Sequence, residues 1–266
     1  MRIGIVGAAG RMGQMIVRQV GETKGCVVAA AADAPGHAAI GRDAGEVAGI
    51  GPIGVAVADS ADAVFDAADA VIEFSVPAAT VANAQRAADR RKIHVIGTTG
   101  FTPADEAALA AAAERATIVR SPNMSVAVNI LFALARQVAG LLDDEFDADI
   151  LEMHHRHKVD APSGTALGLG RAVAAGRKVD LAAVARYARE GQTGARPRGE
   201  IGFATLRGGD VVGDHTVIFA ADGERLELVH KASSRQIFAR GAVRAALWAK
   251  GRPPGLYSMV DVLGLG

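Results

Sequence analysis

Apolar positions in the first half of the chain come in short runs with few polar interruptions. Arg2 to Val6, Cys26 to Ala32, Val55 to Ala58, Ala70 to Phe74, Ile93 to Ile96 and Thr117 to Arg120 are such runs. Runs of this length, closed by small, hydroxyl-bearing or proline residues, predict strands buried on both faces of a sheet. Helical segments separate them: Gln14 to Val20, a short one to Ala67 capped by Ser60 or Asp59, and Ala78 to Arg90. A further one starts at Thr102-Pro103 and ends near Glu114, with threonine as cap and proline in the first turn. Residues 34–54 show no period and read as an irregular excursion. The β–α alternation predicts an α/β fold, a Rossmann-like doubly wound parallel sheet.

Beyond residue 125 the pattern changes. Ser125 to Gly140 has helical spacing of bulky apolar residues, and Phe146 to Met153 alternates like a half-buried strand. A helix through about Ala175 starts at Ser163 or Thr165, and residues 186–199 read as a basic, Gly-rich loop. Ile201 to Leu206, Val211 to Ala220 and Arg225 to His230 predict strands. Gly208-Gly209-Asp210 and Asp222-Gly223-Glu224 predict hairpin-type turns between them. Strands arriving without helices between them predict a second α+β domain on a mixed or antiparallel sheet, whose open face is a candidate oligomer surface. The stretch 233–250 then predicts a helix with Ile237, Val243, Leu247 and Trp248 toward the first domain, and the tail 256–263 is expected to return to the first sheet. The expected divisions are 1–125, 126–234 and a returning segment 235–266.

Composition narrows the functional classes. The 266 residues carry zero formal net charge, half of them are apolar and 4% are aromatic. Such a balance argues against binding nucleic acid through bulk electrostatics. Cys26 is the sole cysteine, so no intramolecular disulfide can form and a reducing, cytoplasmic location is expected. No basic-then-apolar leader opens the sequence, and no run is long enough to cross a membrane.

Candidate chemistry sits in two places. Gly7, Ala8, Ala9, Gly10, Arg11, Met12 and Gly13 form a G-x-x-G-x-x-G loop between the first strand and its helix. That position suits a dinucleotide pyrophosphate, with glycines allowing close backbone approach; a plain tight turn is the simpler alternative. Asp33, at the end of the second strand, is placed to accept from adenosine ribose hydroxyls and to repel a 2′-phosphate. With Ala34 and Pro35 following it, NADH is the expected cofactor; Arg11 can partly rescue NADPH, which stays a second candidate. The loops around Phe74, around Gly97, Thr98, Thr99 and Gly100, and around Ser121, Pro122, Asn123 and Met124 all follow predicted strands. A doubly wound sheet binds ligands at that edge.

The second place is Glu152 to Ala166, which puts His154, His155, His157 and Lys158 beside a Pro-Ser-Gly-Thr turn. The histidines and Lys158 offer positive charge and a titratable proton, and Ser163, Gly164 and Thr165 offer N–H groups at a helix start. A small dianionic substrate fits that pairing. A zinc site, a solvated basic patch and a non-catalytic phosphate site compete with it. Adjacent histidines on a strand point to opposite faces, and Lys158 is a poor neighbour for a cation, so no metal is expected. Another NAD(P)-dependent dehydrogenase and a nucleotide-sensing regulator are the alternative functions.

Read together, Glu152-x-His-His-x-x-Lys158-x-Asp-Ala-Pro-Ser-Gly-Thr-Ala166, the loop from Gly7 to Gly13, Gly97-Thr-Thr-Gly100, Asn123-Met-Ser125 and the stretch Lys231 to Trp248 resemble the dihydrodipicolinate reductase family over essentially the whole chain. The resemblance implies NAD(P)H-dependent reduction of a dihydrodipicolinate-level ring to tetrahydrodipicolinate, in the diaminopimelate route to lysine. It implies His154 as proton donor paired with Lys158, and His155, Lys158, Gly164 and Thr165 holding substrate carboxylates. It puts the ribose acid at Asp33, with Ala34 where some members carry arginine. It further implies a first domain for the dinucleotide, a second for substrate and oligomerisation, and a homotetramer. Lys158 beside His154 disfavours a charged imidazole, so either residue can be the donor.

Overall fold

A computed structural model describes residues 1–265; Gly266, the last residue of the expected returning segment, lies outside them. In chain order the elements are β1 (Arg2–Val6), α1 (Arg11–Glu22), β2 (Val27–Ala32), α2 (Ala44–Val47), β3 (Val57–Ala58), α3 (Ala61–Ala67), β4 (Ala70–Glu73), α4 (Pro77–Arg90), β5 (Ile93–Ile96), α5 (Pro103–Ala113), β6 (Thr117–Arg120) and α6 (Val126–Leu141). They continue with β7 (Asp147–His154), α7 (Gly164–Arg177), α8 (Leu181–Val184), β8 (Ala185–Arg186), β9 (Ile201–Arg207), β10 (Gly213–Ala221), β11 (Glu224–Ala232), α9 (Gln236–Ala249), β12 (Gly255–Tyr257) and α10 (Met259–Leu263). None of the described helices is long and apolar enough to cross a membrane.

The chain divides into two compact units, Met1–Val126 with Arg235–Gly266, and Ala127–Ser234. The first holds a parallel seven-stranded sheet in the order β12-β6-β5-β4-β1-β2-β3. Its direction of winding reverses between β1 and β4, so the edge beyond their C-termini is where such a sheet binds ligands. Ile3, Ile5, Ile72, Val95 and Val119 are buried on this sheet, and α9 covers it with Ala239, Ala242, Ala245, Ala246 and Ala249. The expected apolar face of that helix holds at Val243, which is buried, and at Trp248, which packs against the same core; it is corrected at Leu247, which is 40% exposed, because close approach selects the small side chains. Gly241 marks the tightest point: a Cβ there would stand 1.7 Å from the Met124 carbonyl oxygen.

Helix α1 starts three residues before the expected Gln14, since the second half of the glycine loop is already its first turn. The excursion at 34–54 contains the short α2, organised by one side chain. The Asp43 carboxylate accepts from the N–H groups of Gly45, Glu46, Ile53, Gly54 and Val55.

The second unit is built on a five-stranded mixed sheet, β11-β10-β7-β9-β8. Strands β10 and β11 do form a hairpin through Asp222-Gly223, with Ala221 opposite Glu224. The other expected hairpin is corrected: β9 and β10 are not neighbours, because β7 lies between them, parallel to β9 and antiparallel to β10. The Gly-rich connection instead bonds to the end of β7, through Gly208 N–H to His154 O at 3.0 Å and His155 N–H to Val211 O at 2.7 Å. Alternate residues of β7 (Ala148, Ile150, Glu152, His154) are buried on one face. With Ile201, Phe203, Val217 and Phe219 the apolar ones form a core that takes Leu169 and Val173 of α7. Of the basic residues in the 186–199 loop, Arg186 pairs with Glu200, Arg189 with Asp149, and Arg196 with Asp147 and Asp149.

Candidate active site

The first unit presents its glycine loop at the C-terminal end of β1. Gly7 takes φ 75°, a left-handed conformation that other residues seldom adopt. At Gly13 a Cβ would stand 2.0 Å from the Gly7 carbonyl oxygen and 2.6 Å from Ala8 Cα, so only glycine lets α1 start this close to the turn. Gly10 caps α1 without a side-chain hydrogen bond, which leaves the N–H groups of the first turn to a ligand. Asp33 holds the loop as well: Oδ2 accepts from Ala9 N–H and Oδ1 from Ala34 N–H, each at 2.8 Å.

The same edge carries a cavity of about 250 Å³. Arg11, Met12, Phe74, Gly97, Pro122, Asn123 and Met124 line it, all expected from sequence; Arg235 and Phe238 also line it and were not expected. Those two stand at the start of α9, and no spacing rule links them to the loops of the first half. The Phe74 ring lies on Gly97, where a Cβ would be 2.1 Å from Cε1 of the ring. Thr98 and Ser121 are buried behind this lining, while Thr99 and Gly100 are exposed. A dinucleotide fits these features: an uncapped helix start, a carboxylate beside the glycine turn, and a part-aromatic cavity.

The second unit assembles its chemistry at the end of β7. Strand alternation puts Glu152 and His154 on one buried face, and His154 Nδ1 lies 2.5 Å from Glu152 Oε2. The Glu152 carboxylate also receives Arg207 as a fork, Nη1 to Oε2 at 2.8 Å and Nη2 to Oε1 at 3.0 Å, together with Ser163 N–H at 3.0 Å. Burial alone would raise the Glu152 carboxyl, but Arg207, His154 and Ser163 outweigh it and hold it below the usual range. With Nδ1–H committed to a carboxylate, Nε2 is the atom of His154 that can exchange a proton. Burial, helped by Lys158 and Arg207 and opposed by Glu152, pushes His154 below the ordinary histidine range.

Around this couple, the Ser163 hydroxyl caps α7 by accepting from Ala166 N–H and lies 3.1 Å from His215 Nε2. His215 stands edge-on to His154, ring centroids 5.1 Å apart. Burial, reinforced by His154, pushes His215 to about 3. Lys158 Nζ donates to Asp160 Oδ1 at 2.8 Å, and Arg207 Nη2 donates to the Asp160 carbonyl at 2.6 Å. His155 has left the strand, its ring 6.2 Å from that of His157. Gly164 opens α7, and where its Cβ would stand nothing lies within 4 Å. The structure thus brings Arg207 and His215, which the sequence did not single out, to His154 and the α7 start, because strand register alone brings them there: His154 pairs with Arg207, and Glu152 with His215. Among the described residues no group of His, Cys, Asp and Glu side chains is disposed to hold a metal ion.

Together these groups place a histidine–carboxylate couple, Lys158 and the start of α7 at one end of β7. Comparison with known proteins shows the family. The family model described as "Dihydrodipicolinate reductase, N-terminus" matches residues 1–124, and "Dihydrodipicolinate reductase, C-terminus" matches 127–263. The chain is 56% identical over 265 residues to the 4-hydroxy-tetrahydrodipicolinate reductase of Rhodopseudomonas palustris (strain BisB18), covering 100% of this chain and 98% of the relative. It is 58% identical to that of Chelativorans sp. (strain BNC1), covering 99% and 96%. Its fold is similar to a dipicolinate-bound dihydrodipicolinate reductase from Paenisporosarcina sp. TG-14, with TM-score 0.72, 23% identity and 98% of each chain covered. The chain belongs to the dihydrodipicolinate reductase family, a family of NAD(P)H-dependent oxidoreductases.

Proposed function

We propose that this chain is a 4-hydroxy-tetrahydrodipicolinate reductase of the diaminopimelate and lysine route, with its chemistry shared between His154 and Lys158. The overall reaction removes the 4-hydroxyl as water and adds a hydride and a proton to the ring, giving tetrahydrodipicolinate. NAD(P)H, bound at the first unit's sheet edge, supplies the hydride. The residues proposed to hold it are Gly7 to Gly13 at the pyrophosphate, Asp33 at the adenosine ribose, and the cavity residues Phe74, Gly97, Pro122, Asn123 and Met124 at the nicotinamide end; Thr98 and Ser121 support that lining from behind. NADH is the preferred form, because Asp33 is followed by Ala34 and repels a 2′-phosphate.

In the second unit, the α7 start at Gly164 and Thr165, with His155 and Lys158, takes the substrate carboxylates. The observation that carries this assignment is the fork from Arg207 to Glu152, which fixes His154 with Nε2 as its exchangeable nitrogen. Burial and the cations beside it lower the proton affinity of His154. A dianion bound beside it offsets Lys158 and Arg207 and raises its proton affinity, so substrate binding and proton uptake are coupled. Ser163 keeps the α7 start in place. The half-exposed face of the second sheet carries Leu151, Ala204, Leu206 and Val229, and is where copies of the chain pair into a tetramer. The sole cysteine, buried Cys26, suits a cytoplasmic enzyme.

The test is direct assay: freshly condensed pyruvate and aspartate semialdehyde with enzyme and NADH or NADPH, followed at the nicotinamide absorbance band. No oxidation of either cofactor overturns the reading. Lys158→Ala is expected to lower turnover far more than NADH affinity; an equal loss of NADH affinity would move Lys158 to the cofactor site.

A further inference from the structure

Glu73 closes β4 with 0% of its surface exposed. A carboxylate in a core costs free energy unless donors surround it, and an apolar residue would pack there at less cost. The donors are present. Oε1 accepts from the hydroxyls of Thr80, at 2.7 Å, and Ser75; Oε2 accepts from Asn83 Nδ2 at 2.9 Å and lies 2.9 Å from Nε2 of the fully buried His94. Burial would raise this carboxyl, but His94, Ser75 and Thr80 outweigh it and hold it below the usual range.

The addresses of the partners explain why a charge is kept here. Ser75 lies in the loop after β4, and Thr98 in the loop after β5. Thr98 Oγ1 accepts from Ser75 N–H at 2.9 Å and is 2.9 Å from Thr80 Oγ1. A hydroxyl has one proton to give. Thr80 shares its own between the Glu73 carboxylate and Thr98 Oγ1, and the Thr98 oxygen in turn accepts from Ser75 N–H. The charge thereby orients a chain of hydrogen bonds that ends on the backbone of the first loop. The main chain of Glu73 ties the second loop, since its carbonyl accepts from Gly97 N–H at 2.9 Å. Phe74 and Gly97, between these anchors, line the 250 Å³ cavity.

We infer that Glu73, acting with His94 and Thr80, is a positioning residue that sets the two cavity loops for the nicotinamide end of the cofactor. It does not touch the cofactor. The inference rests on the reading that this cavity takes the nicotinamide. The network constrains loop geometry more than the fold, so its loss is felt in cofactor binding on one side of the sheet edge only.

The experiment compares NADH affinity, by fluorescence, with ADP-ribose affinity, by calorimetry, in Glu73→Gln, Thr80→Val and Thr80→Ser, with thermal unfolding recorded alongside. ADP-ribose carries the part of the cofactor assigned to the glycine loop and Asp33 and lacks the nicotinamide. Glu73→Gln and Thr80→Val are expected to weaken NADH about tenfold, with ADP-ribose held within about twofold. Thr80→Ser, which restores the hydroxyl, is expected to recover NADH affinity. Equal losses of both ligands, or no loss of NADH affinity, would overturn the inference. Thr80→Val preserves volume and answers the question if Glu73→Gln does not fold. Phe74→Ala separates the two levels. If it leaves NADH affinity untouched, the cavity reading falls and this inference with it. If it weakens NADH while Glu73→Gln and Thr80→Val do not, only the positioning role falls.

Discussion

One carboxylate, Asp33, carries two duties at the cofactor edge. It is proposed to receive the ribose hydroxyls, and it already anchors the glycine loop through Ala9 N–H. Asp33→Ala therefore removes a ribose partner and the repulsion of a 2′-phosphate together. The ratio of kcat/KM for NADPH to that for NADH is expected to rise about tenfold or more, since hydrogen bonds to a charged group are worth about 1.5–3 kcal/mol. Steady-state kinetics with both cofactors checks it, and an unchanged ratio removes Asp33 from the choice. His215 supports a second expectation. Its folded-state value of about 3 lies below the 6.5 of a free histidine, so between these limits the unfolded chain holds a proton that the folded chain lacks. Stability then rises with pH across that window and is lost as pH falls through it. His215→Gln is expected to flatten the slope of unfolding free energy between about pH 5 and 6 by up to roughly 1.4 kcal/mol per pH unit. Denaturant titrations at several pH values measure this; an unaltered slope would mean that His215 does not carry the effect.

At the scale of elements, the parallel strands were legible because each is a short, mainly apolar run ended by a glycine, proline or hydroxyl-bearing loop. Ile93–Ile96 and Thr117–Arg120 form strands with the bounds their sequences suggest. The helix caps Ser60, Thr102 and Ser163 were legible for a local reason: a side-chain oxygen reaches the N–H of a residue two or three positions on. What escaped the sequence depends on register. Nothing local places β7 between β9 and β10, and nothing local says that Arg207 will fork onto Glu152. Glu73 lies inside the strand read from Ala70 to Phe74, and nothing local says that its carboxylate is wholly buried. The covering face of α9 was read only in part, at Val243 and Trp248, because bulky residues attract attention while close packing uses alanine and glycine. Gly241→Ala tests that face. Its new methyl group would meet the backbone at Met124, which cannot yield as a flexible side chain can. Overpacking of this sort costs about 1–3 kcal/mol, so the melting temperature is expected to fall by several degrees. An unchanged melting curve would show that α9 has room to shift.

At the scale of the whole molecule, the exposed face of the second sheet is the surface proposed for assembly. Cross-strand register lines Ala204, Leu151, Thr216 and Val229 across β9, β7, β10 and β11, with Leu206 beside Met153 in the next row. Leu206 is 48% exposed and Val229 50%. Charges introduced there, as in Leu206→Glu with Val229→Glu, are expected to reduce the sedimenting mass to that of a smaller species while leaving the monomer folded. A mass unaltered by the pair would move the assembly surface elsewhere. The path of the chain has a consequence of another kind, one of timing. The first unit is discontinuous: β12 completes its sheet beside β6, and α9 covers it, yet both follow the entire second unit in sequence. On a ribosome, residues 1–126 emerge first but lack part of their cover until the last segment is made, whereas residues 127–234 are contiguous and have their own core. One face of the first sheet can therefore be covered early by its own helices, while the other waits for the last segment to be made.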